Sequence, residues 1–80
     1  EFSGRNIRIN SILPGGVETE GTRAVGITGS DLEKSIIEKT PLGRIGQPDD
    51  IAKVAVFLAS DDAGWITGEK VTVTGGLYGL

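Results

Sequence analysis

Hydrophobic positions change their spacing several times along this chain, and each change predicts an element. Near the start, Ile7 and Ile9 alternate with Asn6, Arg8 and Asn10. A period of two marks a half-buried strand and predicts one over residues 6–13. Pro14, Gly15 and Gly16 end it, because proline offers no N–H and glycine adopts dihedrals that other residues avoid. Residues 17–29 mix acids, threonines, glycines and single apolar residues without any period. They predict a long loop, with a short helix over 22–25 as an option. Loops of that length inside a compact domain are usually lids or disordered segments.

Helical spacing begins at Ser30. Ser30-Asp31-Leu32-Glu33 has the capping-box form, in which the serine hydroxyl takes one orphan N–H and the glutamate reaches back to another. Leu32, Ile36 and Ile37 supply an apolar stripe, and Pro41 stops the helix near Thr40. A turn with two glycines, Leu42-Gly43-Arg44-Ile45-Gly46-Gln47, leads to a second helix starting at Pro48. Proline suits the first helical turn, and Asp49 and Asp50 sit where the helix dipole is positive. Ile51, Val54, Ala55 and Leu58 share one face, which Val56 and Phe57 widen. A helix apolar around most of its circumference is expected to be buried on two sides. Ser60-Asp61-Asp62-Ala63-Gly64 ends it. A last strand covers residues 70–74, with Val71 and Val73 on one face and Lys70, Thr72 and Thr74 on a wetter one. Gly75 and Gly76 close it.

The order is strand, loop, helix, helix, strand. This predicts an α/β fold: a partial doubly wound Rossmann-type unit of two strands with a helical crossover. All 80 residues form a single unit. A chain this short buries only about 60% of the surface its unfolded form exposes, so the core is thin. With no cysteine or histidine, disulfides, thiolate metal sites and histidine-based nucleophile systems are excluded. Partner surface is the remaining way to stabilise it. The formal net charge of −3, with basic residues scattered singly, argues against a nucleic-acid partner. No apolar run approaches the ~20 residues that span a bilayer, and no signal or transit segment is visible. The lack of cysteine fits a cytoplasmic protein. A start at Glu1 without Met points to a protease cut or a cloning boundary.

Three stretches together resemble a known family. They are Arg5-Asn6-Ile7-Arg8-Ile9-Asn10-Ser11-Ile12-Leu13-Pro14-Gly15, then Pro41-Leu42-Gly43-Arg44-Ile45-Gly46-Gln47-Pro48-Asp49-Asp50-Ile51-Ala52, then Phe57-Leu58-Ala59-Ser60-Asp61-Asp62 followed by Trp65-Ile66-Thr67-Gly68. In order and spacing they resemble the sixth strand, signature turn, late helix and final approach of the short-chain dehydrogenase/reductases. The resemblance covers essentially the whole chain but only the C-terminal third of that fold. It implies a parent that is an NAD(P)-dependent oxidoreductase acting on alcohol or carbonyl substrates. The family's T-G-x-x-x-G-x-G phosphate loop is not in this chain, nor is its Tyr-x-x-x-Lys pair with an upstream Ser. The only tyrosine is Tyr78, with no lysine after it. This chain alone is therefore expected to carry no catalytic residues, and no cofactor is expected for it in isolation. Thr74-Gly75-Gly76-Leu77-Tyr78-Gly79-Leu80 follows a strand as a phosphate loop would. It lacks the final glycine and a following helix, and it falls where the family has a strand-ending Gly-Gly.

From the residues alone, Pro14, Gly15 and Gly16 form a strand-ending turn followed by an N-capping Thr19. The resemblance implies a cofactor-binding role: Pro14, Gly15 and Gly16 shape the wall beside the nicotinamide ring. In the same reading the main chain of Val17 meets the carboxamide, and Thr19 hydrogen-bonds the carboxamide or a phosphate. The segment 20–29 would then be a substrate lid, or simply a flexible surface loop. Arg44 is expected to pair with an acid of the following helix. Asp61 and Asp62 read as a solvated turn, so no metal site is expected. Trp65 reads as a packing or interface anchor. Glu18 and Glu20 form an acid/base pair only on paper.

These readings leave three states for the chain. It is a non-catalytic C-terminal fragment, a self-associating homo-oligomeric module, or a half-enzyme completed by a separate N-terminal chain that brings a small-molecule substrate. The resemblance also implies subunit contacts through the late helix and last strand.

Overall fold

The computed structural model describes residues 4 and 6–77. Strand β1 (Ser11–Pro14) leads through a glycine turn into the short helix α1 (Glu20–Ala24). Helices α2 (Asp31–Lys39) and α3 (Pro48–Ala59) follow. A 3-10 turn (Asp61–Ala63) and strand β2 (Lys70–Val73) complete the order. The strands pair in parallel, with Ser11 opposite Lys70 and Pro14 opposite Val73. Parallel strands need a long crossover, and the helices supply it. The α/β expectation of two strands with a helical crossover is what the structure contains.

The first strand is shorter than its alternation suggests. Asn6 has a φ of 54°, in the left-handed region, and Ile7 and Ile9 are exposed. The partner segment decides this. Gly68 has a φ of 73°, which turns the chain just before β2 begins. Residues 8–10 are tied down by other means. The Arg8 guanidinium donates to the carbonyls of Leu58 (2.9 Å), Ser60 (3.1 Å) and Ala63 (3.0 Å). It thereby caps the Leu58 carbonyl in the last turn of α3 and adds a second donor to the Ser60 and Ala63 carbonyls, which also accept from the Ala63 and Ile66 N–H groups. Asn10 donates to the Ile66 carbonyl and accepts from the Glu69 N–H, both at 3.1 Å.

Helix α2 starts where its cap predicts. The Ser30 hydroxyl accepts from the Glu33 N–H, although the reciprocal arm from Glu33 is not made among the described residues. Its end is tight: Thr40 is buried and its hydroxyl donates to the Ile36 carbonyl at 2.6 Å. The expected stripe is only partly inward, because Leu32 is exposed while Ile36 and Ile37 are half-buried. Helix α3 begins at Pro48 as expected, but it is covered on one face only. Ile51, Val54 and Leu58 are half-buried, whereas Ala55, Val56 and Phe57 are exposed. Two-sided burial is therefore not achieved within the described residues. The reason is supply: Ala63 is the one fully buried hydrophobic residue among them.

Strand β2 keeps its predicted alternation, with Val71 and Val73 half-buried and Lys70 and Thr72 exposed. It ends at Val73, one residue early, because Thr74 turns the chain into Gly75 and Gly76. Both glycines have positive φ, 63° and 94°. A β-carbon on Gly75 would lie 2.8 Å from Thr40 Cγ2, and one on Gly76 2.9 Å from Pro41 Cγ. This Gly-Gly turn therefore packs against the end of α2. Tyr78, Gly79 and Leu80, the rest of the phosphate-loop lookalike, lie outside the described residues, as does Arg5.

Candidate functional site

The predicted wall, Pro14 through Thr19, runs from the end of β1 to the start of α1. Pro14 needs no ladder donor at a strand end, and the Gly15 N–H continues the pairing by donating to the Val73 carbonyl at 3.0 Å. Gly15 and Gly16 are small for internal reasons. A β-carbon on Gly15 would lie 2.8 Å from Thr74 Cα, a backbone atom that cannot move aside. One on Gly16 would lie 2.7 Å from Ile36 Cγ2. The pair lets β1 end against β2 and α2.

Gly46 shapes the next step, and the sequence reading assigned it no role at the site. Its N–H donates to the Gly16 carbonyl at 2.8 Å, and its carbonyl accepts from the Glu18 N–H at 2.9 Å. Together these form an isolated parallel bridge between Val17 and Gly46. The bridge uses the peptide groups on either side of Val17. Val17's own N–H and carbonyl have no partner among the described residues. Glycine suits the close approach, since a β-carbon there would meet the Gly16 carbonyl at 3.2 Å and Val17 Cγ2 at 3.3 Å and its neighbours would have to give by a few tenths of an ångström. A sequence signal existed in the paired glycines of the turn, but nothing local said that they faced residues 16–18.

Arg44 pairs with the following helix as expected. Its guanidinium grips the Asp50 carboxylate with two bonds, of 2.8 and 3.0 Å. Asp50 also accepts from the Gln47 N–H at 2.7 Å. The Arg44 bonds first, and the Gln47 N–H second, hold the Asp50 carboxyl far below the usual carboxylate range; the same pairing raises Arg44. This network braces the turn that carries Gly46. The turn and the wall enclose an open cavity of about 180 Å3, lined by Val17, Leu42, Gly46, Ile51 and Gly75 among others.

Thr19 caps α1. Its hydroxyl accepts from the Thr22 N–H at 3.1 Å, while the Thr22 hydroxyl accepts from the Thr19 N–H at 2.9 Å. The residues 17–29 therefore contain a helix that begins two residues earlier than the 22–25 option. Glu18 is held by Arg23, at 2.7 Å from its Nε, so it does not form a working pair with Glu20. Asp61 and Asp62 sit in the exposed 3-10 turn. No group of three or more potential metal ligands occurs among the described residues. Trp65 is 100% exposed and packs against nothing among the described residues, so the packing half of its expected role is not met there.

Residues 1–78 match the model of a family described as Enoyl-(Acyl carrier protein) reductase. An uncharacterized oxidoreductase of Methylorubrum extorquens is 56% identical over 77 residues, which are 96% of this chain and 31% of that protein. The chain belongs to the short-chain dehydrogenase/reductase family. Solved structures of the family superpose on it closely. A putative 2-deoxy-d-gluconate 3-dehydrogenase from Agrobacterium tumefaciens, with bound NADP, matches with a TM-score of 0.84 and 38% identity over 95% of this chain and 30% of its own. A 4-hydroxyisoleucine dehydrogenase complexed with NADH matches with a TM-score of 0.85 and 36% identity, over 96% of this chain and 31% of its own. The chain thus spans under a third of the length of these short-chain dehydrogenase/reductases, and resembles the C-terminal segment of an NAD(P)-dependent oxidoreductase.

Proposed function

We propose that this chain supplies the nicotinamide-side wall of an NAD(P)-dependent oxidoreductase acting on alcohol or carbonyl substrates. Chain outside these 80 residues would supply the phosphate loop and the Ser/Tyr-x-x-x-Lys group. The observation that carries this reading is the Val17 peptide. Its N–H and carbonyl stay unpartnered among the described residues because Gly46 engages Gly16 and Glu18 on either side. A donor and an acceptor side by side match the carbonyl and amino groups of a primary carboxamide. The residues present thus fit the nicotinamide end of the cofactor. When bound, the cofactor supplies hydride transfer. This chain's part is to orient the ring. Val17 takes the carboxamide, Thr19 adds a hydroxyl, and Pro14, Gly15 and Gly16 form a wall whose own packing holds it in place. The choice between NAD and NADP lies with residues outside this chain.

The test joins this chain behind the N-terminal two thirds of the Methylorubrum oxidoreductase and titrates the product with NADH and NADPH by fluorescence. Val17→Pro removes the N–H without touching the bridge to Gly46. It should weaken nicotinamide cofactor binding about tenfold or more. Unchanged affinity in that variant would sink the proposal.

A second reading, self-association, is favoured by the exposed apolar residues Val56, Phe57 and Trp65. It predicts a homo-oligomer, and sedimentation of a stable monomer at high concentration counts against it. No described helix is long and apolar enough to cross a membrane. The cytoplasmic setting belongs to the same proposal, and the lack of cysteine in the sequence fits it.

A further inference from the structure

We propose that Arg44 and Asp50 are positioning residues that aim the Val17 peptide at the nicotinamide carboxamide by clamping the two peptide units that flank Gly46; this rests on the reading given under Proposed function. The inner ends of those two units make the bridge to the wall: the Gly46 N–H donates to the Gly16 carbonyl, and the Gly46 carbonyl accepts from the Glu18 N–H. Their outer ends both go to the ion pair. The Ile45 carbonyl shares a peptide with the Gly46 N–H, and it accepts from Arg44 Nη1 at 3.1 Å. The Gln47 N–H shares a peptide with the Gly46 carbonyl, and it donates to Asp50 Oδ2 at 2.7 Å. Arg44 Nη1 donates to the same Asp50 Oδ2 at 2.8 Å, and Arg44 Nη2 donates to Oδ1 at 3.0 Å. Nη1 carries two protons, one for the Ile45 carbonyl and one for the carboxylate. A closed circuit of hydrogen bonds thus runs around Gly46.

Two physical effects follow. A peptide unit is planar, so holding it at both ends fixes its orientation. Hydrogen bonds in series also strengthen one another. The cation on the Ile45 carbonyl makes the Gly46 N–H a better donor to Gly16, and the anion on the Gln47 N–H makes the Gly46 carbonyl a better acceptor from Glu18. Both charges have the sign that tightens the bridge, and the bridge leaves the Val17 N–H and carbonyl without partners among the described residues. Capping of α3 does not account for the arrangement, because the bond from Arg44 to the Ile45 carbonyl lies outside that helix. Nor does core packing, since Arg44 is exposed and Asp50 only half-buried.

The experiment uses the joined polypeptide described above, with NADH as the probe and AMP, which lacks the nicotinamide half, as the control. Asp50→Asn keeps the shape and removes the charge. It should weaken NADH about fivefold and leave AMP unchanged. Asp50→Glu keeps the charge and should restore most of the NADH binding, and an equal loss in both variants would overturn the proposal. Arg44→Lys keeps the cation but loses the fork, and it should weaken NADH without affecting AMP; if Asp50→Asn fails to fold, this variant decides alone. If Asp50→Asn and Arg44→Lys bind NADH normally while Val17→Pro does not, the positioning role is overturned and the cofactor wall stands. If all three bind NADH normally, both readings fall. Equal loss of NADH and AMP would make the pair a general structural brace and also overturn the role assigned here.

Discussion

The predicted wall, residues 15–18, and helix α1 adjoin in sequence but are held by different means. The wall is fixed by groups far along the chain: Val73 and Thr74 of the β2 end, Ile36 of α2, and Gly46. Helix α1 is held from within five residues, by the Thr19/Thr22 bonds, the Glu18–Arg23 pair and a bond from the Val25 N–H to the Gly21 carbonyl. Long-range bonds and glycine contacts lock the wall as soon as the fold forms. Local bonds alone leave a short helix near the cost of its own nucleation. A segment placed rigidly by distant contacts and a segment held only locally thus arise side by side.

The sharpest way to break the contrast is Gly15→Ala. Its β-carbon would meet the backbone of Thr74, so the strand end must shift; overpacking of this kind costs about 1–3 kcal/mol. The urea midpoint should fall for the whole polypeptide, and a local change confined to residues 14–18 would contradict the wall's long-range anchoring. Thr19→Ala should be milder, about 1 kcal/mol, because it removes one helix cap. Hydrogen exchange should then accelerate in α1 and leave the Glu18 and Gly46 amides protected.

The turn that carries Gly46 should respond to acid in a defined sense. Asp50 titrates below its ordinary value in the folded chain, so its contribution is present above about pH 4 and is lost as pH falls through the lower folded value. Protection of the Gly46 and Glu18 amides should survive mild acid and fail only under stronger acid. Asp50→Asn should weaken that protection at neutral pH and flatten its acid dependence. A steep loss already between pH 5 and 4 would show that another carboxylate governs the turn. Smallest of all is Arg23→Gln. An exposed pair contributes about 1 kcal/mol or less, so only exchange in α1 should change, and the change should shrink as salt is added.

What was legible in the sequence was local. Ser30 and Glu33 placed the start of α2, Pro41 its end, and Pro48 with its two aspartates the start of α3, because caps and proline act within one turn of chain. Arg44 was matched to a carboxylate six residues on for the same reason. The family pattern implied a cofactor wall at Pro14 through Thr19, which stands as the proposal above, and nothing local distinguished a wall from a turn. Thr19 was legible as an N-cap, yet the 22–25 option began α1 two residues late, since Thr19 and Thr22 act as a reciprocal pair only when both backbones adopt the cap.

Spacing and turn chemistry along the chain therefore determined which segments become helix or strand, since those preferences act over a few residues. Tertiary structure decided where β1 starts, why Gly15 and Gly16 must be small, and that Gly46 bonds Gly16 and Glu18 and leaves the Val17 N–H and carbonyl out of the bridge. Each of these depends on atoms distant in sequence meeting within a few ångströms, and no local pattern encodes which atoms those are.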